Sequence, residues 1–278
     1  MKCSLVTLAL CTVVLILGVS VQPASADLFA GSWDMKWYGD WNLRNGFTIE
    51  DQGLDAITAT RLDPQHVTLS MEERFSSVTL LQEGDTLRIE SPPLDDGTCL
   101  WPAAYMMADG VNSAWVHLGQ EYDDAEDISV TVGIAGRGTG TVSAADLAGY
   151  WKFDWLEHGN YGNSFLGPFE RMSDVIHLSD LGGGQIEMDG LAVLSLVGNR
   201  LSMVTNLEDD QDCHLLEIVT DGYTLSFARV ATETDDPTFV SVIIGLGQPV
   251  PEPATLALLA LGGLAVLRRR AAVRRDLP

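Results

Sequence analysis

A chain of 278 residues with 39 acidic and 16 basic residues carries a formal charge of −23 at pH 7. That is the wrong sign for neutralising phosphates and argues against nucleic acid as the main partner. Hydrophobic residues at 46% and charged residues at 20% are ordinary for a globular protein, so the acidity comes from scarce Lys and Arg, and the composition argues against bulk disorder.

Residues 1–26 read as an address. Met1 and Lys2 lead into an apolar stretch, Leu5 to Val21, which gives way to Ala24-Ser25-Ala26. A positive start, an apolar run and a small-x-small ending make a secretory signal peptide, so cleavage is expected after Ala26, with Ala24 and Ala26 at the recognition positions. The apolar stretch is long for such a signal, and an N-terminal membrane anchor is the alternative. Cys11 follows Leu10, whereas a lipoprotein signal wants a small residue before its cysteine.

From residue 27 the chain reads twice. Gly31-Ser32-Trp33 is answered by Gly149-Tyr150-Trp151, and each has a second Trp one short step on, Trp37 and Trp155. Farther along, Asp109-Gly110 to Gly133 matches Asp221-Gly222 to Gly245 at a constant offset, with identities such as Glu121 with Glu233 and Val130 with Val242. Self-similarity on this scale divides the middle of the chain into two modules, 27–140 and 141–248, each near the usual domain size.

Inside each module the period is two. Val67 to Glu72, Val78 to Leu80, Leu87 to Glu90 and Val130 to Val132 alternate in the first copy; Val175 to Leu178, Leu201 to Val204, Leu225 to Ala228 and Val240 to Ile243 alternate in the second. Short alternating runs between turn residues (Gly84-Asp85, Asp95-Asp96-Gly97, Asp189-Gly190, Gly198-Asn199) are half-buried strands. No helical stripe is sustained. The expected fold is all-β: two tandem homologous antiparallel β-barrels or β-sandwiches, each a meander of seven or eight strands. The Gly-x-Trp on the first strand resembles the opening of lipocalin-type barrels, where the Trp plugs one end.

The middle carries few groups arranged for chemistry. Cys99 and Cys213 occupy corresponding places in the two modules, and two separate buried thiols are a simpler reading than a bridge between two copies of one site. Acidic runs at Glu121 to Asp127, Glu208 to Asp212 and Glu233 to Asp236 have carboxylates enough for Ca²⁺ but no recognised calcium pattern, and they read as solvated turns. His66, His117, His158, His177 and His214 show no metal-ligand spacing. Gly136, Gly138 and Gly140 at the module junction read as a flexible linker. Trp33, Trp37, Tyr38, Trp41, Trp151, Trp155 and Tyr161 gather at the module starts and read as core plugs rather than as platforms for sugars. No cofactor is implied.

The C-terminal end is more specific. Pro249-Val250-Pro251-Glu252-Pro253 precedes an uncharged stretch, Ala254 to Leu267, and then Arg268, Arg269 and Arg270. A helix over that stretch is about 21 Å long, short of a bilayer core of roughly 30 Å, although flanking Arg side chains extend its reach; the basic cluster stays cytoplasmic. VPEPATLALLALGGLAVLRRR resembles the PEP-CTERM sorting signal of exported bacterial proteins. The resemblance implies recognition of Pro251, Glu252 and Pro253 by a transpeptidase-like membrane enzyme, an exosortase, with Ala254 to Leu267 as the apolar segment and Arg268 to Arg270 as the basic stop. An ordinary C-terminal anchor is the alternative.

Without the two ends, residues 27–248 hold 37 acids and 10 bases, a net charge of −27. The expectation is a non-enzymatic exported protein of the cell surface or extracellular matrix. It passes through the export machinery, is anchored transiently in the inner membrane, and is processed by the exosortase-type enzyme in an envelope where exopolysaccharide is the implied partner. A barrel binding glycan or a small apolar molecule is the first alternative, and a secreted hydrolase with carboxylates converging between the modules is the second.

Overall fold

A computed structural model describes residues 27–40, 47–71, 75–91, 94–95, 100–120, 128–138, 140–159, 168–236 and 238–251. The expected signal helix, the C-terminal apolar helix, Cys99 and the acidic run 121–127 lie outside the described residues. Among those described, no helix is long and apolar enough to cross a membrane.

The first barrel is a meander of β1 (Gly31–Asp40), β2 (Asp51–Arg61), β3 (His66–Met71), β4 (Phe75–Glu83), β5 (Thr86–Arg88), β6 (Leu94–Asp95), β7 (Leu100–Ala108), β8 (Asn112–Gln120) and β9 (Ile128–Gly136). β9 returns to β1, and the ring closes where β5 pairs with the far half of β7. β6 pairs with the near half of β7, so two short strands do the work of one. The second barrel follows a single helical turn, α1 (Ala144–Leu147), and comprises β10 (Gly149–Gly159), β11 (Glu170–Gly182), β12 (Gln185–Met188), β13 (Ala192–Val197), β14 (Arg200–Asn206), β15 (Gln211–Thr220), β16 (Leu225–Glu233) and β17 (Val240–Pro249). β17 pairs with β10 and closes it. Both copies are thus closed eight-stranded antiparallel barrels, the arrangement that removes exposed strand edges.

The repeated Gly-x-Trp does the same job twice. Trp33 and Trp151 are fully buried, and the indole Nε1 of each donates one helical turn back, to the Phe29 carbonyl at 2.7 Å and the Leu147 carbonyl at 2.8 Å. That bond satisfies the one polar atom of a large plug. It also requires the chain ahead of each first strand to turn in tightly. In the second copy the turn is α1, capped reciprocally by Ser143 and Asp146. In the first it is held by Asp27, whose Oδ1 accepts from the backbone N–H of Phe29 and Ala30 at 3.2 Å.

Asp27 also receives a two-pronged contact from Arg61 at 2.5 and 2.6 Å. The Arg61 guanidinium beside it lowers its pKa from 3.8 to about 2. A depressed carboxylate contributes stability that is present above its unfolded pKa and is lost as pH falls through the folded value. Asp27→Asn is therefore expected to cost about 1–2 kcal/mol at pH 7, with the deficit shrinking as pH falls from 3.8 to about 2. Thermal midpoints of the two proteins across that range check it; a deficit that does not vary with pH would remove the linkage.

Each barrel interior is filled. Phe29, Trp33, Met35, Leu69, Leu80, Trp101, Met106 and Trp115 pack inside the first, and Trp151, Phe153, Leu178, Leu194, Leu201, Ile218 and Phe227 inside the second. A third core lies between the barrels, where β8 and β9 pack against β15, β16 and β17. Its members come in equivalent pairs, one from each copy: Val116 with Ala228, Leu118 with Val230, Ile128 with Val240, Val130 with Val242 and Val132 with Ile244. Equivalent faces of two copies thus meet each other, the self-complementary pattern of an isologous interface. Asn112 Nδ2 donates to Thr224 Oγ1 at 2.8 Å, again between equivalent positions of the two copies.

The module junction is not the flexible linker that its glycines suggest. Arg137 donates to the carbonyls of Phe29, Ala30, Ser32 and Gly110 and lies 3.6 Å over the Trp33 ring. Asn199 Nδ2 donates to the Gly138 carbonyl at 3.2 Å. These partners are distant in sequence and invisible to a local reading.

Candidate functional site

Strand alternation decides which side chains enter each barrel. At the end away from the plugging Trp, several polar residues point inward, where apolar ones fill the rest. In the first barrel Trp37 Nε1 donates to Asp55 Oδ2 at 2.6 Å. One layer is formed by the cross-strand neighbours Gly39, Thr131 and His117. Thr131 is buried, and the His117 ring stands 4.3 Å from the Trp101 ring.

The second barrel has the same plan with different groups. Trp155 Nε1 donates to Glu157 Oε2 at 3.2 Å, and Ser241 Oγ donates to Glu157 Oε1 at 3.2 Å. Arg229 takes the place that His117 holds in the first copy, and its guanidinium is shared between Glu208 and Gln211 Oε1, the latter at 2.7 Å. The Arg229 and Glu208 side chains are only 14% and 16% exposed, so this is a largely desolvated ion pair that needs both members. Cys213 is a buried free thiol in the same wall. Burial pushes its pKa up, against a smaller downward pull from Arg229, and a thiol held protonated is a poor nucleophile. The His214 ring shares a hydrogen bond with Thr232 Oγ1 at 2.7 Å, and burial lowers its pKa.

Among the described residues, two ion pairs bridge the seam between the barrels. Lys36 Nζ meets Glu217 Oε1 at 3.3 Å and lies over the Tyr38 ring at 4.9 Å. Burial first, and Glu217 second, push the Tyr38 hydroxyl far above its ordinary pKa. Arg171 grips Asp85 with two bonds at 2.9 and 2.7 Å. Each of these seam carboxylates is paired with a cation.

Of the residues singled out from sequence, Pro251 alone of the sorting set is described, and it directly follows the last barrel residues. Glu252, Pro253, Arg268, Arg269, Arg270, Ala24 and Ala26 lie outside the described residues. The acidic runs are not uniformly solvated turns: Glu208 is taken by Arg229, while Asp236 caps its own turn by accepting from Thr238. Among the described residues no group of three or more His, Cys, Asp or Glu is arranged to hold a metal ion. Sequence reading missed the pair Arg229–Glu208. The usable signal was that Arg229 continues the inward phase of Leu225 and Phe227.

The sequence matches no curated protein. Among solved structures, the chain is similar to a protein of unknown function from the DUF3598 family of Nostoc punctiforme, with 12% identity, 80% of this chain and 96% of that chain covered, and a TM-score of 0.33. A putative outer membrane protein from Bacteroides fragilis is similar over 79% of this chain and 97% of that chain, at 6% identity and a TM-score of 0.30. A mutant of transferrin binding protein B from Haemophilus parasuis is similar over 78% of this chain and 45% of that chain, at 8% identity and a TM-score of 0.39. Likeness at this level carries no functional argument. The match that does bear on function is at the C-terminal end, where residues 249–271 fit the PEP-CTERM protein-sorting motif, so the chain carries the signal of an export-sorted protein.

Proposed function

We propose that this is a non-enzymatic exported protein that presents two fused, filled β-barrels at the cell surface or in the extracellular matrix, in association with exopolysaccharide. A signal peptide of residues 1–26 is removed after Ala26, modules 27–140 and 141–248 fold outside the cytoplasm, and residues 249–278 form the sorting signal. In that signal Pro251, Glu252 and Pro253 are the recognition element for an exosortase-type enzyme and Arg268 to Arg270 the cytoplasmic stop. The observation that carries the reading is the position of the motif: it begins at residue 249, where the last barrel strand ends. Interiors packed with Trp, Phe and Leu support presentation over a ligand pocket. Seam carboxylates neutralised by Lys36 and Arg171 support it over hydrolysis, which needs two carboxyl groups facing a common substrate.

Replacing Pro251, Glu252 and Pro253 together by Ala is expected to leave an unprocessed, membrane-retained chain. Fractionation and the mass of the surface form are the readouts. Surface display and a mass identical to that of the unmodified protein would overturn the sorting role.

A further inference from the structure

The second barrel has two unlike ends. Because it is a closed antiparallel meander, β11, β13, β15 and β17 all run toward the end where β10 begins. Three hairpin connections and the chain exit therefore lie together there. Each hairpin presents an apolar or aromatic side chain to solvent at its tip: Leu181 is 54% exposed, Val197 76% and Tyr223 78%. Nothing in the barrel requires these residues to be apolar, since their side chains contribute to no core.

Charge follows the same division. The described connections at the opposite end carry Asp189, Glu208, Asp209, Asp210, Asp235 and Asp236, whereas the exit end carries Asp180 beside the Leu181 tip and Asp221, to which the entering turn α1 adds Asp146. All three spend their carboxylates on their own turns, Asp180 by accepting from the backbone N–H of Gly182 at 2.8 Å. Asp221 accepts from the backbone N–H groups of Tyr223 and Thr224 at 2.9 and 2.8 Å, and Asp146 accepts from the backbone N–H of Ser143 at 3.0 Å. A strongly acidic body has thus kept one end poor in acid, and that end bears the exposed apolar tips.

The exit fixes what can cover them. Val250 N–H donates to the Tyr150 carbonyl at 2.7 Å, which holds the chain to the barrel up to the residue before Pro251. Only Pro251, Glu252 and Pro253 separate that point from the uncharged stretch Ala254 to Leu267. Three residues reach at most about 11 Å however they are extended. If residues 254–267 enter a bilayer, the exit end lies within about that distance of its headgroups. Tyr and aliphatic side chains partition into the interfacial region, whereas acids are repelled by an anionic leaflet.

From this we infer that the exit end of the second barrel docks on the lipid surface, with Leu181, Val197 and Tyr223 seated among the headgroups while the protein is tethered by its tail. The docking rests on the membrane entry of residues 254–267 proposed above. It orients the molecule: the acidic end faces away from the bilayer, and the barrel caps the sorting motif from the outside.

The test uses the full chain in phosphatidylcholine vesicles containing some phosphatidylglycerol, with and without acyl chains brominated near the headgroup. Val197→Trp places a probe on the docking end, and Leu207→Trp, also exposed, places one on the connection at the opposite end. The expected result is that brominated lipid quenches the emission added at 197 at least about twofold more than that added at 207. Equal quenching at both positions, or none at either while the protein floats with the vesicles, overturns the docking and leaves the tail reading intact. A blue-shifted emission at 197 that lipid does not alter means that protein covers the tips, and it overturns the docking as well. Failure of the full chain to float removes both the docking and the membrane entry on which it rests.

Discussion

Trp151→Ala is expected to lower the stability of the chain by about 3–5 kcal/mol, and Trp33→Ala by more. Both side chains are fully buried plugs, and both place their only polar atom on a carbonyl one helical turn back. Truncation empties a large volume at the entry end of each barrel and removes the indole donor from that carbonyl, so transfer, cavity and hydrogen-bond losses add, although the Phe29 carbonyl keeps the Arg137 guanidinium as a second donor. The two sites then part company. Arg137 lies 3.6 Å over the Trp33 ring while donating to the carbonyls of Phe29 and Ala30, and among the described residues no guanidinium stacks in this way on Trp151. Loss of that stacking adds roughly 0.5–1 kcal/mol in the first barrel and loosens the strap that ties the module junction to residues 27–32. Urea midpoints followed by near-UV circular dichroism measure the difference. A Trp151 variant at least as destabilised as the Trp33 variant would mean that Arg137 adds nothing through the ring.

The plug was readable from three letters because its causes are local: a strand start, an indole and a turn just ahead of it. The strands were readable for the same reason, since a barrel wall with one face inward and one outward writes itself as alternation. The seam was visible without being understood. The segment that repeats most faithfully, Asp109 to Gly133 against Asp221 to Gly245, is the pair of strands buried on both faces. On the face that meets its own copy the equivalents stay apolar without staying identical: Val130 corresponds to Val242, but Val116 corresponds to Ala228 and Leu118 to Val230. What stayed hidden depends on contacts between segments far apart in the chain. Arg229 finds Glu208 in a neighbouring connection, Lys36 finds Glu217 in the other barrel, and Arg137 turns a glycine-rich junction into a bolt. No local pattern marks such partners. Position does so only once the inward phase of β16 and the constant offset between the copies are read together, which places Arg229 where the first copy has His117. The motif at 249–271 needed no fold at all, because a sorting signal is read by its receptor as sequence.

The duplication also supplies a controlled comparison of packing. Gly133 and Gly245 are equivalent positions on β9 and β17, and neither has room for a side chain, but what fills the space differs. A Cβ on Gly133 would sit 2.6 Å from the Met35 sulfur and 3.2 Å from the Lys36 carbonyl oxygen. A Cβ on Gly245 would sit 2.3 Å from Phe227 Cε1 and 2.8 Å from the Asp154 carbonyl oxygen. A thioether on three rotatable bonds gives way, whereas an aromatic ring packed edge-on against Phe153 at 5.2 Å has nowhere to go. The backbone oxygen of Asp154 belongs to the β10–β17 pairing that closes the second barrel, so relief there comes only by parting the closing strands. Gly133→Ala is accordingly expected to cost about 1 kcal/mol and Gly245→Ala roughly 3 kcal/mol or more. Urea midpoints of the two single variants decide the point. A Gly245 variant no less stable than its Gly133 counterpart would show that the ring and closing strands shift freely, and that the second barrel is held shut less tightly than its packed interior implies.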